Sequence, residues 1–208
     1  PGQLVITEVH ANPDGADGKG EYIELFNTGP VALALDAFTL ASGRADGTGS
    51  KTHRLVGAFV EAGDFVVLGN APSDSMPPHV DFSYGDALGS LRNTDAALAI
   101  RCAELLVDEM SYERTTDGRA LQLDGRLEPS HAANDDPAAW CESPDDADPL
   151  VTGGLGTPGR ANGSCAEESP ATGCVDGASR RAIVSPSPGD LRIEEWMANP
   201  EGLDAELE

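Results

Sequence analysis

Basic side chains, aromatic side chains and long apolar runs are all scarce in this sequence. Its 208 residues include 13 Lys and Arg against 36 Asp and Glu, which gives a formal net charge of −23 at pH 7. A surface this acidic repels phosphate backbones and anionic lipids, so we expect no nucleic acid partner. Since no apolar run approaches the roughly 20 residues of a transmembrane helix, we also expect no membrane span.

The motifs of common enzyme classes are missing as well. There is no HExxH zinc motif and no GxSxG nucleophile elbow. The segment 43–52, GRADGTGSKT, has the look of a phosphate-binding loop, but Ser50 stands where that motif needs glycine, so a hairpin turn is the better interpretation. The four histidines are scattered along the chain: His10, His53, His79 and His131. The sequence therefore predicts no enzyme.

Two acids remain of interest as a pair. Glu8 and Glu24 can meet if the first two β-runs of the chain pair with each other, and paired carboxylates can serve as a general acid and base. Acids on adjacent strands more often face solvent or accept hydrogen bonds from backbone donors. We favour those non-catalytic interpretations.

The sequence does contain 24 glycines and 15 prolines, and many of them separate short runs of β-forming residues. This spacing, without a long helical period, predicts an all-β, antiparallel sandwich of about eight or nine strands with an irregular C-terminal extension. The turns at 28–30 and 61–64 are expected to close hairpins. The runs are 4–11, 21–28, 31–40, 53–60, 65–70, 80–85, 95–102, 105–113 and 119–123.

Four cysteines, Cys102, Cys141, Cys165 and Cys174, allow three disulfide connectivities, and the sequence alone does not choose among them. We favour Cys102 with Cys141, which ties a strand end to a downstream loop, and Cys165 with Cys174, which closes a short ring. An even number of cysteines without CxxC or zinc-type spacing favours an oxidising compartment over a metal site.

One acidic turn is a candidate cation site. Asn12, Asp14, Asp17 and Glu21 lie close together in NPDGADGKGE, and Ca²⁺ favours loops in which several oxygens converge. The spacing does not fit an EF-hand. A solvated turn, with Asn12 and Asp14 bonded to nearby backbone amides, is the favoured interpretation, and a calcium site is the alternative.

The end of the sequence repeats its beginning. Residues 191–202, LRIEEWMANPEG, match residues 4–15, LVITEVHANPDG, at seven of twelve positions. Such self-similarity identifies a repeated domain. It predicts a domain over 1–164, a linker rich in proline, serine and glycine over 165–189, and the first strand of a second, truncated repeat over 190–208.

The ordered motifs resemble a bacterial lamin tail domain. The resemblance rests on ITEVHANP, EYIELFNTG, ALDAFTLASG, VEAGDFVVLGN, LRNTDAALAI followed by LLVDEMSY, the later Trp140, and the closing GTPGRANG, in this order. It covers about residues 3–164. It implies an immunoglobulin-like β-sandwich without catalytic residues. We expect Trp140 to plug one end of the sandwich, with ligand stacking as the alternative.

The same resemblance suggests a function. Similar bacterial domains lie in secreted, periplasmic or cell-surface proteins, often in tandem or beside other domains. We therefore expect a non-catalytic module for adhesion, display or assembly, with protein or cell-surface partners and neighbouring domains of the same parent chain, and with no cofactor. A calcium-dependent binding module that uses the acidic loops is the alternative.

Overall fold

The computed structural model describes residues 2–14, 19–145 and 147–165, together with the backbone of 174–176 and 179–181. The chain divides into two compact units, Pro1–Ala166 and Glu167–Glu208. In the described part of the chain, no helix is long and apolar enough to cross a membrane.

Unit Pro1–Ala166 is built from short strands. They are β1 (Leu4–His10), β2 (Tyr22–Asn27), β3 (Leu33–Ala34), β4 (Phe38–Arg44), β5 (Lys51–Arg54), β6 (Phe59–Val60), β7 (Phe65–Gly69), β8 (Phe82–Ser83), β9 (Thr94–Cys102), β10 (Leu105–Arg114), β11 (Leu121–Leu123) and β12 (Trp140–Glu142). A short helix α1 (His131–Asn134) and a 3-10 helix (Pro137–Ala139) precede β12.

Two sheets form an immunoglobulin-like β-sandwich. The first has the order β12-β11-β1-β2-β7-β8 and the second has the order β10-β9-β4-β5, while β3 and β6 pair separately. The pairs are antiparallel, except that β7 and β8 run parallel. The predicted all-β antiparallel sandwich is confirmed. Between the sheets lies an apolar core that includes Ile6, Leu25, Leu40 and Leu98, all fully or almost fully buried.

Two predicted runs are each divided between two sheets. The run 31–40 yields β3 and β4, and the run 53–60 yields β5 and β6. Each break is a tight turn, since the amide of Phe38 donates to the carbonyl of Leu35 at 2.8 Å and that of Ala58 to Leu55 at 3.1 Å. These breaks raise the strand number above the predicted eight or nine.

The two predicted hairpins at 28–30 and 61–64 are wrong. β2 pairs with β1 and β7, and β3 pairs with β6, so neither turn joins strands that are neighbours in a sheet. Asn27 provides the physical reason, because its side-chain amide donates to the carbonyls of Val31 and Glu61, both at 2.9 Å. Both turns are therefore tied to the end of β2 and direct the chain out of the six-stranded sheet. By contrast, β4 and β5 do form the hairpin predicted around 43–52.

A β-bulge in β1 sets up the outer face of the six-stranded sheet. The register against β2 shifts between Ile6 and Glu8. As a result Ile6 and Val9, three residues apart, both contribute to the core, while Thr7 and Glu8 contact groups on the opposite face. The amide of Ile6, at the bulge, donates to the carboxylate of Asp108 at 2.8 Å.

Unit Glu167–Glu208 contains one described hairpin, formed by β13 (Cys174–Asp176) and β14 (Ser179–Arg181). It falls within the predicted linker 165–189. The predicted repeat at 190–208 lies outside the described residues, so it stays a prediction.

Candidate functional site

Two buried carboxylates lie side by side on the outer face of the six-stranded sheet. Glu8 of β1 and Glu24 of β2 are directly opposed in the strand register, and both are 0% exposed. The meeting of these acids is therefore confirmed. They do not face solvent, because the chain returns over them at residues 156–165, which we call the closing segment.

Hydrogen bonds join Glu8 to the closing segment. Its Oε1 accepts from the backbone amide of Thr157 and from the Tyr22 hydroxyl, both at 2.8 Å. Its Oε2 lies 2.8 Å from the Thr157 hydroxyl, which in turn lies 2.8 Å from Oδ1 of Asn162. The Asn162 amide nitrogen donates to the carbonyls of Thr7 and Leu123 at 2.8 and 2.9 Å, so its Oδ1 can only accept.

The Thr157 hydroxyl connects Glu8 to Asn162. It donates to Oε2 of Glu8 and also lies within hydrogen-bond distance of Oδ1 of Asn162. Burial raises the pKa of Glu8 against the lowering effect of its hydrogen bonds from Thr157 and Tyr22. Burial therefore outweighs these hydrogen bonds and favours the neutral form of the carboxyl.

Glu24 has acceptor roles on both oxygens. Oε1 accepts from the Thr7 hydroxyl and Oε2 from the amide of Gly159, both at 2.7 Å. Burial, with the neighbouring Glu8 second, raises the pKa of Glu24 well above its ordinary value, and the two hydrogen bonds oppose this rise. The pair therefore resists double ionisation, as expected of like charges in a dry site.

Glycines let the closing segment approach the carboxylates. A Cβ atom added at Gly156 would collide with the Tyr22 hydroxyl and the Glu8 carboxylate. Gly159 has a φ of +79°, in the left-handed region that favours glycine. The GTPG sequence is thus suited to a tight turn laid directly on two buried acids.

The arrangement suits structural rather than catalytic chemistry. Backbone amides of Thr157 and Gly159 donate to the two acids, as one of our two non-catalytic interpretations predicts. The other interpretation, that the acids face solvent, is wrong. A substrate has no path to these oxygens while the closing segment lies on them, and their hydrogen bonds fix the segment to β1 and β2.

Three of the four predicted calcium ligands are described, and two of them have other hydrogen-bond partners. The Glu21 carboxylate is buried and accepts from the amide of Leu91 at 3.1 Å and from the side chain of Asn70 at 2.9 Å. Asn12 accepts from Asn93 at 3.1 Å, and Asp14 is exposed. Asp17 lies outside the described residues. Among the residues that the structure does describe, no group of three or more His, Cys, Asp or Glu could hold a metal ion.

The disulfide joins Cys141 to Cys165, with their Cα atoms 5.4 Å apart. The predicted pairs Cys102 with Cys141 and Cys165 with Cys174 are therefore wrong. The reason is topological, because Cys102 ends β9 in the four-stranded sheet, whereas Cys141 lies in β12, beside the closing segment. Cys102 is half-buried and has a free thiol, and the side chain of Cys174 lies outside the described residues.

The environment of His10 was not predicted from the sequence. Its imidazole is fully buried, and neither ring nitrogen has a hydrogen-bond partner in the described structure. The ring lies 5.5 Å from that of Tyr22, which lies 5.7 Å from that of His79. Burial, with the charge of His79 a smaller cause, lowers the pKa of His10 to about 4. The sequence of β1 carries no signal of this burial, because the ring is approached by a residue far along the chain: a Cβ added at Gly154 would lie 2.7 Å from His10 Nε2.

Asp108 is a buried carboxylate that sequence reasoning missed. Its Oδ2 accepts from the amide of Ile6 at 2.8 Å and from the side chain of Asn134 in α1 at 2.6 Å. Burial raises its pKa to about 6. Asp108 therefore joins the two sheets at the β1 bulge.

Comparison with known families agrees with this architecture. A family model of the lamin tail domain matches residues 1–114, more than half of the chain. The chain belongs to the lamin tail domain family. A search of curated proteins finds no match.

The folded unit Pro1–Ala166 extends beyond the residues that match the family model. The match ends with β10, but β11 pairs with β1 in the same sheet and the closing segment binds Glu8. Trp140, in β12, packs partly against the core, and its indole nitrogen donates to the carbonyl of Asn134 at 2.8 Å. The family is one of non-catalytic immunoglobulin-like domains, in keeping with the sealed acids.

Proposed function

We propose that this lamin tail domain is a non-catalytic, extracellular or periplasmic module of a larger bacterial multidomain protein, where it serves adhesion, display or assembly. The proposal rests on the structural role of the buried acids Glu8 and Glu24. In many enzymes a buried carboxylate pair faces a substrate cleft, but here the pair accepts hydrogen bonds from the protein's own backbone.

The disulfide supports a location outside the cytoplasm. Cys141 and Cys165 hold the edge strand β12 to the closing segment, and structural disulfides persist in oxidising compartments. The proposal therefore includes secretion, the periplasm or the cell surface.

The charge of the chain favours protein partners. With a formal charge of −23, the surface repels nucleic acids and anionic lipids and attracts basic protein surfaces. Partners of this kind, and neighbouring domains of the same parent chain, fit the proposed role in assembly.

Thiol trapping in the native host tests the proposal. Cells that make the full-length protein are treated with a membrane-impermeant biotin reagent and an alkylating agent, and the protein is then digested without reduction. We expect biotinylated protein with Cys141 linked to Cys165. Alkylated Cys141 and Cys165 in protein that escapes biotinylation until the cells are lysed would contradict an extracytoplasmic module.

Thermal melts test the alternative function, which is calcium-dependent binding through the acidic turn. The candidate ligands in that turn are Asn12, Asp14, Asp17 and Glu21. A ligand that binds only the folded state raises the melting midpoint. Identical curves with Ca²⁺ and with a chelator reject calcium, whereas a midpoint that rises with Ca²⁺ concentration favours it over the cofactor-free module.

A further inference from the structure

The two sheets of the sandwich differ by two strands, and the mismatch leaves a gap beside β10. β10 packs across β1 and ends the four-stranded sheet, while the other sheet continues into β11 and β12. The helix α1 packs against β1 and β10. Beside the C-terminal end of β10 lies a cavity of about 520 Å³.

The cavity runs along the end of β10, and Ala45 and Asp95 also line it. One wall is a continuous stretch of β10, residues 111–114, and the floor includes Leu121 of β11 and Trp140 of β12, with Pro137 beside them. In the described part of the chain no strand pairs with β10 on this side. A strand added here would lie over apolar surface of the six-stranded sheet, as β10 itself does.

The backbone of β10 is oriented to accept such a strand. The amide of Thr115 donates to the carbonyl of Asn93, on the β9 side, at 2.9 Å. Because successive residues of an antiparallel strand point their backbone groups in opposite directions, those of Tyr112 and Arg114 are directed toward the cavity. Unpaired groups of this kind are a template for another strand.

The rim of the cavity selects for positive charge. Glu113 lines it, Asp136 immediately precedes the lining residue Pro137, and Glu109 is exposed on the same strand. Asp95 also lines the cavity, but its charge is paired with Arg44 at 3.1 Å. Glu113 and Arg114 are the other charges of the lining and balance each other, so the negative excess comes from Glu109 and Asp136 nearby and from the strongly acidic chain as a whole.

We propose that residues 110–114 of β10 bind an extended segment of a partner protein that carries Lys or Arg, as a fifth strand of the four-stranded sheet. Main-chain hydrogen bonds supply the affinity, and an apolar side chain of the segment packs on Leu121 and Trp140. Basic side chains of the segment lie near Glu113 at the rim. This inference rests on the proposed role in assembly and names the edge that performs it.

A peptide titration tests the edge directly. The probe is the acetylated, amidated peptide Lys-Val-Lys-Val-Lys-Val-Lys, added to the isotope-labelled 208-residue chain. We expect amide shifts at 110–114 and at the Trp140 indole. Arg114→Pro, which removes an outward amide, weakens binding about tenfold, whereas its matched control Arg114→Ala, which removes the same charge, does not. Shifts that avoid β10, or equal affinities of the two variants, overturn the proposal.

A second arm works even if Arg114→Pro does not fold. The same peptide with N-methyl groups on alternate residues keeps its charge but loses main-chain donors, so we expect about tenfold weaker binding to the wild-type chain. Unchanged binding means non-specific attraction and overturns the proposal. A concentration-dependent dimer formed through β10 in sedimentation assigns the edge to a second copy and also overturns it. None of these failures affects the thiol-trapping result, which tests the proposed function separately.

Discussion

The carboxylate of Glu8 accepts a hydrogen bond at 2.8 Å from the backbone amide of Thr157, which lies 149 positions later in the chain. The bond links the first strand of the lamin tail domain to its closing segment. With the Glu24 bond to Gly159, it makes the closing segment part of the fold rather than a tail.

Thr157→Val tests the hydroxyl that connects Glu8 and Asn162. The change preserves volume but leaves two buried oxygens without a partner, so we expect it to lower the free energy of unfolding by about 2 kcal/mol. The matched control Thr157→Ser keeps the hydroxyl and loses a methyl group, at a cost of about 1 kcal/mol or less. Urea denaturation measures both, and equal losses would mean that the hydroxyl makes no contribution.

Glu8→Gln tests whether Glu8 holds a proton in the folded protein. Glutamine can accept from Tyr22 and Thr157 with its oxygen and donate to the Thr157 hydroxyl with its nitrogen, as a protonated Glu8 would. We expect a change within about 1 kcal/mol for Glu8→Gln and a loss of about 3 kcal/mol for Glu8→Leu, which leaves the Thr157 amide unpaired. Because the pKa of Glu8 is raised, the wild type loses stability as pH rises through that pKa, and Glu8→Gln removes this loss. Equal destabilisation by both variants would place the proton elsewhere.

The burial of His10 predicts that the folded protein loses stability at acidic pH. Its folded pKa of about 4 lies below the ordinary value of 6.5, so the unfolded chain binds the proton more tightly. Stability from this group is complete above 6.5 and falls as pH drops toward 4, by about 3 kcal/mol at most. Relative to wild type, His10→Leu should become more stable as the pH is lowered from 7 to 4.

Asp108 has the opposite effect on the pH dependence of stability over part of this range. Its pKa is raised to about 6, so the stability that it contributes is lost as pH rises from 3.8 to 6. The pH series is therefore repeated in an Asp108→Asn background. A constant stability difference between the chain with His10 and its His10→Leu variant across the series would contradict the burial of a neutral imidazole.

Cys165→Ser tests the corrected disulfide. The bond closes a loop with a sequence separation of 24, and its removal should lower the free energy of unfolding by about 3 kcal/mol in the chain-entropy estimate. Cys102→Ser is the matched control, because the Cys102 thiol is free, and it should change stability by less than about 1 kcal/mol. Non-reducing peptide mapping of the wild type that finds Cys102 in a bridge to Cys141 would contradict the observed pairing.

The strands of the sandwich could be predicted because their apolar residues alternate and turn residues separate them. The pairing of these strands was harder to predict. The predicted hairpins at 28–30 and 61–64 were wrong because the Asn27 side chain binds the carbonyls of Val31 and Glu61 in the two turns. No local sequence pattern signals this contact. The bulge in β1 depends in the same way on Asp108, a residue 102 positions away from Ile6.

The site could be predicted in part. Glu8 and Glu24 were singled out as a pair, but the closing segment that binds them was recognised only as a family motif, because hydrogen bonds across 149 positions leave no periodicity. The predicted repeat stays a prediction, but the sequence match includes buried positions. Of the positions that residues 191–202 share with residues 4–15, Leu4, Ile6, Glu8 and Ala11 are all 0% exposed.

Native-state hydrogen exchange of the Thr157 and Gly159 amides tests most directly whether the closing segment completes the lamin tail domain. If both amides donate to buried carboxylates, they should exchange as slowly as the amide of Val9 in β1, through opening of the whole fold. Exchange as fast as that of Gly47, in the exposed β4–β5 turn, would show that the segment is not held and would contradict the central role of Glu8 and Glu24.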